Sequence, residues 1–254
     1  MKKINKGKFL NYKKSDTIVI YGSGYSINDL TKEDKEHLQN FDSIGFNWFC
    51  KSQIPTTFYL LREQTTLKQK GLPNERSDDI LNNIRQYYQD SCLIIIDMLK
   101  SSNAWKGKRG WVFDSEVFDN EGIILQEKYY KLYKQQNYIP FFRKATKIDI
   151  FNNHVMYATC TISNVFHIIT WMGYKRIIFV GVDLYDHRYF WLSYNTLRQR
   201  TKAKKRTLNS KHFTAKFTLK MVEHLTRVFP DKKIFTYNNK SLLNNVIPVY
   251  NRKK

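Results

Sequence analysis

Residues 184–212 bring together histidines, tyrosines and a dense run of cations. His212 ends the sequence Asn209-Ser-Lys-His212, and His187 lies near the start of the same segment. A histidine accepts a proton near neutral pH without special tuning, so either side chain suits the role of a general base. Six lysines and arginines fall within positions 198–206 and suit a phosphate or carboxylate. We interpret the segment as a lid over an anionic ligand; a solvated loop is the alternative.

A second chemical feature is the stretch Thr17-Ile-Val-Ile-Tyr-Gly-Ser-Gly-Tyr-Ser26. A β-branched run leads into a Gly-x-Gly turn, and Ser26 then begins a polar segment with acidic residues in its first turns. A strand, a glycine turn and a capped helix point backbone N–H groups at an anion, most often a nucleotide phosphate. The alternative is that the glycines only allow a tight turn. The residues of this predicted phosphate site are Gly22, Ser23, Gly24 and Ser26.

The pattern of apolar residues predicts the strands and helices that would position these side chains. Short β-rich runs predict buried strands at 17–21, 43–47, 56–60, 92–96, 176–181 and 233–237. Helical periodicity predicts helices at 76–90, 124–136, 157–172 and 213–229. Alternating strands and helices predict an α/β fold: a Rossmann-like, mostly parallel sheet flanked by helices. We expect a single domain over residues 1–254, with the lid at 184–212 directly after a strand, where such sheets bind ligands.

Composition restricts the class of protein. The chain has 254 residues, of which 42% are hydrophobic and 15% aromatic, so it is globular. No apolar run approaches the ~20 residues of a membrane span, and the basic N-terminus lacks a signal-peptide pattern. Cys50, Cys92 and Cys160 have neither metal-ligand spacing nor the number for a complete disulfide set, which favours a reducing cytoplasm. The net charge of +21 suits nucleic acid, an anionic membrane face or acidic substrates.

Several motifs, in their order along the chain, resemble the bacterial sialyltransferases of glycosyltransferase family 42, of the Campylobacter lipooligosaccharide type. Gly22-Ser-Gly-Tyr-Ser26 matches the family's Gly-Asn-Gly-Pro-Ser turn, with Tyr25 in place of proline. Gly45-Phe-Asn-Trp-Phe49 puts Asn47 in the place of a nucleotide-contacting asparagine. The strongest match is Gly173-Tyr-Lys-Arg-Ile-Ile-Phe-Val-Gly-Val-Asp-Leu-Tyr185, and Lys240-Ser-Leu-Leu-Asn-Asn245 matches a terminal Asn-Ser-Leu-Leu-Ala-Asn motif.

The resemblance implies a fold of the GT-A-variant type and the inverting transfer of sialic acid, or a related acid sugar, from a CMP donor to a glycan or lipooligosaccharide hydroxyl. It implies that His212 is the base, with His187 as its competitor, and that Tyr185 and Tyr189 donate hydrogen bonds to the leaving phosphate. The nucleotide-sugar contacts that it implies are Gly22, Ser23, Gly24, Ser26, Asn47, Thr161, Gly181, Asp183 and Ser241. For Asp183 a structural role at the strand end is the favoured alternative. An acceptor-side arginine of the family aligns with Ala158 here, which leaves the acceptor open.

We expect no metal and no cofactor, because no Asp-x-Asp pair occurs and a CMP donor carries a single phosphate. The expected partners are the CMP-sugar donor, a glycan or glycolipid acceptor and, as in relatives, further copies of the chain. We expect a cytoplasmic protein, with peripheral contact to the anionic inner face of the bacterial inner membrane as an option. Two alternatives stay open: a basic nucleic-acid-binding protein, with Phe190, Trp191 and Tyr194 available for stacking, or another nucleotide-dependent enzyme on the same fold.

Overall fold

The computed structural model describes residues 1–62, 75–97, 118–130, 137–158, 160–184, 190 and 214–252. Within these ranges the strands are β1 (Lys2–Lys3), β2 (Thr17–Tyr21), β3 (Asp42–Phe46), β4 (Phe58–Leu61), β5 (Cys92–Asp97), β6 (Glu121–Tyr129), β7 (Val155–Tyr157), β8 (Arg176–Val180) and β9 (Lys233–Thr236). The α helices are α1 (Lys6–Leu10), α2 (Lys32–Leu38), α3 (Glu75–Tyr87), α4 (Ile139–Ala145), α5 (Thr161–Trp171) and α6 (Thr214–Val228). Short 3-10 helices cover Tyr25–Asp29, Asn47–Ser52 and Leu242–Asn245.

The strands form one sheet in the order β1-β6-β5-β4-β3-β2-β8-β9, and β7 pairs with the outer side of β6. Every strand pairing is parallel. The chain moves outward from β2 through β3, β4, β5 and β6, then returns to place β8 on the other side of β2. The predicted α/β class and parallel sheet are thereby confirmed, and the strand order reverses between β2 and β8.

Both faces of the sheet are covered, as expected for parallel strands with continuous apolar runs. Alternate residues of β2 point to opposite faces: Ile18 and Ile20 belong to one buried cluster, Val19 and Tyr21 to the other. The first cluster includes apolar side chains of α1, α4, α5 and α6. The second includes those of α2 and α3. The helices therefore divide between two layers, and loops at the strand ends are left to form sites.

The amino end of the sheet is held by a buried carboxylate. Asp42, the first residue of β3, accepts hydrogen bonds from the backbone N–H groups of Lys14 (2.9 Å) and Ser15 (3.0 Å), which precede β2. It also accepts one from the hydroxyl of Tyr174 (2.9 Å), which precedes β8. Burial, reinforced by this carboxylate, raises the pKa of Tyr174. One side chain thus joins the starts of three adjacent strands.

Two predictions of local structure are wrong. Residues 121–129 form strand β6, so the helix predicted at 124–136 does not form over these residues. Ile123, Leu125 and Glu127 are buried at every second position, and this period of two is the pattern of a strand. The polar segment at Ser26 begins with a 3-10 turn, and α2 starts only after Thr31, whose side chain and that of Asp34 form a capping box. The prediction also missed β1, β7, α1 and α4, which are short.

Candidate active site

The reversal of strand order between β2 and β8 defines the candidate site, here called the switch point. In open α/β sheets, ligands bind outside the carboxyl ends of the strands at such a reversal. The loops concerned are Gly22–Ser26 after β2 and Gly181–Leu184 after β8. The nucleotide-sugar contacts that the resemblance implies in these loops are Gly22, Ser23, Gly24, Ser26, Gly181 and Asp183.

The glycines after β2 allow the two loops to touch. The N–H of Gly22 donates to the carbonyl of Val180 (2.8 Å), and that of Gly24 donates to the carbonyl of Gly181 (2.7 Å). A Cβ on Gly22 would overlap the Gly181 carbonyl oxygen, and one on Gly24 would lie 2.5 Å from Asp183 Oδ2. Only glycine fits such a close backbone approach. These two amides therefore bond to the end of β8 and to the loop after it rather than pointing at a ligand.

Asp183 occupies the anion position at this turn. Its side chain is buried, and its Oδ2 accepts a hydrogen bond from the Ser26 N–H (2.9 Å). The Ser26 hydroxyl donates to the other carboxylate oxygen, which also lies 3.5 Å from Asn238 Nδ2. The strand-glycine-serine pattern thus does bind a negative charge, but the charge belongs to the protein itself.

A third loop, after β9, joins this cluster. The Ser241 hydroxyl donates to the carbonyl of Val182 (2.6 Å), and the Leu242 N–H donates to the carbonyl of Asp183 (3.0 Å). The structure thus unites predicted residues from three separate motifs: Gly22, Gly24, Ser26, Gly181, Asp183 and Ser241. Ser23, between the two glycines, is half-buried. Contact of these residues with a nucleotide stays a prediction.

The backbone after β8 is strained. Gly181 (φ 66°) and Leu184 (φ 63°) both have left-handed conformations. Glycine adopts this region freely, but a leucine there costs on the order of 1–3 kcal/mol. Such strain clusters at functional sites, where the surrounding structure holds it in place.

Asn47 and Thr161 belong to the same edge of the sheet. Asn47 follows β3 directly, and Thr161 is the buried first residue of α5. Because α5 connects two parallel strands, it runs opposite to them, and its N-terminus lies at their carboxyl ends. The positive end of this helix therefore faces the edge that carries the switch point.

The predicted catalytic groups His212, Tyr185 and Tyr189 lie outside the described residues, as does His187. Of the predicted lid, Leu184 and Phe190 are described. The carbonyl of Phe190 accepts a hydrogen bond from Asn28 Nδ2 (3.1 Å), and its ring packs edge-on against Phe49, with the ring centroids 6.5 Å apart. Asn28 belongs to the 3-10 turn that follows the glycine loop. One residue of the predicted lid thus contacts the turn beside the switch point.

Sequence reasoning missed a buried ion pair at the same edge. Arg62, directly after β4, donates two hydrogen bonds to the carboxylate of Glu127, near the end of β6. The Arg62 guanidinium also stacks on the ring of Tyr157. The sequence gives no sign of Glu127 as a partner, because the pattern predicts a helix over its segment. A cation two positions after the predicted strand 56–60 was the only sequence signal for this pair.

A shallow pocket of about 430 Å³ lies beyond β9 and was also missed. It is lined by Tyr237, Val249, Tyr250, Asn251 and Arg252. Beneath it, Asp34 accepts a hydrogen bond from the Tyr237 hydroxyl (2.5 Å) and lies 3.2 Å from Arg252 Nη1. Burial opposes the charge of Asp34, but these partners and the Thr31 amide outweigh it and lower its pKa. The pocket is therefore lined by two tyrosine rings and by Arg252, which Asp34 keeps in place.

The described residues contain no group of three or more histidine, cysteine, aspartate or glutamate side chains arranged to hold a metal ion. Among the helices within the described ranges, none is both long enough and apolar enough to span a bilayer.

Comparisons with known proteins give structural likenesses only. Neither a protein-family model nor a curated protein sequence matches the chain. The structure is similar to monofunctional alpha-2,3-sialyltransferase Cst-I from Campylobacter jejuni: the identity is 17%, the TM-score 0.48, and the match covers 98% of this chain and 82% of that one. It is also similar to a variant of sialyltransferase Cst-II in complex with CMP, with 17% identity, a TM-score of 0.49, and 92% and 85% coverage. At these values neither likeness identifies what this chain binds or transfers.

Proposed function

We propose that the chain is a glycosyltransferase that moves sialic acid, or a related acid sugar, from a CMP donor to a hydroxyl of a glycan or glycolipid. The observation that supports this most is the meeting of three motifs at the switch point. The glycine loop after β2, the Gly181–Asp183 turn and the Ser241 loop are far apart in sequence, yet hydrogen bonds join them. These are the motifs that resemble the sialyltransferase family.

The proposed reaction needs two kinds of group. The donor's anomeric carbon is tertiary and carries a carboxylate, so the transition state resembles an oxocarbenium ion. A base must take the proton of the acceptor hydroxyl, and hydrogen-bond donors must stabilise the departing phosphate. We assign the base to His212 and the phosphate donors to Tyr185 and Tyr189, with help from the cations of 198–206. A metal ion is not needed in this scheme.

The charge of the chain is consistent with an anionic acceptor. A net charge of +21 favours phosphorylated glycolipids and the anionic inner face of a bacterial membrane. We therefore propose a lipooligosaccharide-type acceptor, reached by peripheral attachment. Assembly with further copies of the chain stays an expectation.

The test is CMP release from CMP-N-acetylneuraminate in EDTA, with and without lactose-type acceptors. We expect release by the native chain to increase with acceptor. His212→Ala should lower it by about 10²–10⁴-fold, the usual contribution of a positioned general base. His187→Ala is the matched control from the same segment and should leave most of the activity.

Other outcomes would redirect the proposal. Loss of activity in His187→Ala alone would move the base to His187. A requirement for a divalent ion would favour another nucleotide-dependent enzyme. Absence of release, together with no protection by CMP against thermal unfolding, would contradict the CMP-sugar proposal. Salt-sensitive binding of generic DNA or RNA would then favour the nucleic-acid alternative.

A further inference from the structure

The shallow pocket beyond β9 lies at the same edge of the sheet as the switch point. Tyr237 directly follows β9, and hydrogen bonds between Thr236 and residues 248–250 add one further strand position outside it. The pocket is therefore separated from β2 by two to three strand spacings, about 10–15 Å. Asn238, which follows Tyr237, lies 3.5 Å from Asp183 at the switch point. A ligand in this pocket would thus lie beside the candidate active site.

Two tyrosine rings provide the apolar part of the pocket. The rings of Tyr237 and Tyr250 are nearly parallel, with an angle of 24° between their planes and centroids 6.0 Å apart. The Tyr250 hydroxyl lies 3.1 Å from His37 Nε2 on α2, and Phe235 packs edge-on against the Tyr250 ring. Val249 adds an aliphatic side chain to the lining. A flat apolar surface held in this way suits the C–H face of a ligand ring.

Asp34 fixes the polar part of the pocket. Its Oδ1 accepts a hydrogen bond from the Tyr237 hydroxyl (2.5 Å) and lies 3.2 Å from Arg252 Nη1, while its Oδ2 accepts one from the Thr31 N–H (3.1 Å). The Asp34 side chain is 15% exposed, whereas that of Arg252 is 44% exposed. An arginine carries five N–H donors, and one carboxylate oxygen cannot occupy them all. Arg252 is therefore oriented by Asp34 and can still donate to a ligand.

The balance of charges and the mixed lining favour a neutral ligand with hydroxyl groups. Asp34 already neutralises Arg252, and the charge of Glu33 also acts on this guanidinium, so a phosphate or carboxylate would gain little. A neutral pyranose has C–H groups on one face of its ring, which pack on aromatic side chains, and hydroxyls around its rim, which exchange hydrogen bonds with groups such as a guanidinium. The volume of about 430 Å³ is usual for a small-ligand site.

We propose that this pocket is a subsite for a neutral sugar residue of the glycan acceptor, packed against the rings of Tyr237 and Tyr250 and hydrogen-bonded by Arg252. This inference rests on the proposed glycosyltransferase function and adds a binding site to it. Because the pocket is about 10–15 Å from β2, it binds a residue further along the glycan than the sugar that reacts. The enzyme should therefore prefer a longer acceptor to a shorter one.

The test compares two acceptors with the same reactive end. N-acetyllactosamine is a disaccharide, and lacto-N-neotetraose is a tetrasaccharide that ends in that disaccharide. CMP release gives KM and kcat for each, and we expect the native chain to have the lower KM for the tetrasaccharide. Arg252→Ala should raise this KM about tenfold, as expected for the loss of a hydrogen bond from a charged group. The KM for the disaccharide and both kcat values should not change.

Arg227→Ala is the matched control. The Arg227 side chain is likewise exposed (59%) and paired with one carboxylate, that of Glu223, but it belongs to the last turn of α6, at the other end of the sheet. Its removal should leave the KM values for both acceptors unchanged. An equal rise of the tetrasaccharide KM in Arg227→Ala would show a general effect of losing a surface cation and would overturn the inference.

A second variant tests the aromatic part of the pocket. Tyr250→Leu keeps an apolar side chain but removes the flat ring, and it should also raise the KM for the tetrasaccharide alone. Thermal unfolding of each variant without ligand would separate a stability change from a binding change. If both variants keep the native preference for the tetrasaccharide, its additional sugars bind at another surface and the inference is wrong.

Direct binding distinguishes failure of this subsite from failure of the proposed function. Saturation-transfer NMR with lacto-N-neotetraose needs no donor. Glycan binding that is weakened in Arg252→Ala, in a chain that releases no CMP, would support the subsite and contradict the transferase. CMP release with equal KM for the two acceptors in the native chain would overturn the subsite alone. Absence of both glycan binding and CMP release would overturn both.

Discussion

The two ends of the sheet use the same device for different purposes. At the amino end, Asp42 is 3% exposed and accepts hydrogen bonds from Lys14, Ser15 and Tyr174. At the carboxyl end, Asp183 is 4% exposed and accepts them from Ser26 and Asn238. In each case a buried carboxylate joins loops from neighbouring strands. Burial costs little in free energy because several donors replace water.

The difference lies in what surrounds each carboxylate. The loops around Asp42 lead from helices into strands, and although Gly173 before Tyr174 has a positive φ of 72°, a Cβ there would meet no atom within 4 Å. The loops around Asp183 need glycines at the points of closest approach and a leucine in a left-handed conformation. The buried Arg62–Glu127 ion pair lies at the same edge. Close backbone contacts, a left-handed leucine and a buried ion pair thus occur together at the carboxyl end, as expected for the end that binds a ligand.

The largest expected change in stability comes from adding a side chain at Gly22, where the two loops touch. Gly22→Ala should destabilise the protein by about 3 kcal/mol, because its Cβ would overlap the backbone carbonyl of Gly181 and neither loop can move without breaking hydrogen bonds. Gly7→Ala, in α1 at the amino end, is the control. The nearest heavy atom to its Cβ is 3.6 Å away, so alanine should stabilise by about 0.5 kcal/mol. Urea denaturation measures both, and equal effects would refute the contrast between the two ends.

Substituting each of the two buried carboxylates, Asp42 and Asp183, tests directly whether the two ends of the sheet differ in function. Asp42→Asn and Asp183→Asn should each cost about 2 kcal/mol of unfolding free energy, since each leaves buried donors without an acceptor. Protection by CMP against thermal unfolding should survive in Asp42→Asn and be lost in Asp183→Asn. Loss of protection in both variants would show that the two clusters do not differ in function.

The smallest expected effect is a pH dependence of stability that arises from a buried histidine of α5. Burial lowers the pKa of His167 on α5 to about 4, and nearby His154 adds to the lowering. His167 Nδ1 accepts a hydrogen bond from the Met156 N–H on β7 (2.8 Å), which requires that nitrogen to be unprotonated. Because the unfolded chain takes up the proton first, near pH 6.5, stability falls on acidification from there toward pH 4.

Between pH 7 and 5.5 this histidine should account for a loss of about 1 kcal/mol. His167→Gln cannot titrate and should remove that part of the pH dependence. Urea denaturation of both proteins at several pH values measures the difference. Identical pH profiles for the two proteins would contradict the assignment.

Much of the sheet was predictable because parallel strands buried on both faces are continuous apolar runs. Thr17–Tyr21, Cys92–Asp97 and Arg176–Val180 were found within one residue of their bounds. Strand β6 is not predicted, because its exposed positions include Gln126 and Lys128 and its apolar residues also fit a helical period. Short elements such as β1 and β7 carry too few residues for any periodicity.

The site was predictable only as a set of loops. Glycine motifs after two strands indicated where a ligand would bind, since the direction of parallel strands brings their carboxyl ends together. That Ser26 bonds to Asp183 was not readable, because the partners lie 157 positions apart and a serine and an aspartate are common surface residues. The Arg62–Glu127 pair was hidden for the same reason, with its partners on strands that are not sequence neighbours.

The sequence by itself determined the α/β class, most strands and the residue types at their ends, because apolar periodicity and glycine turns are local properties of the chain. Only the tertiary structure decided which loops meet, and that the glycine turn bonds to the carboxylate of Asp183. The physical reason is that hydrogen bonds and burial between distant segments depend on strand order and on the path of the chain, and no local pattern encodes either.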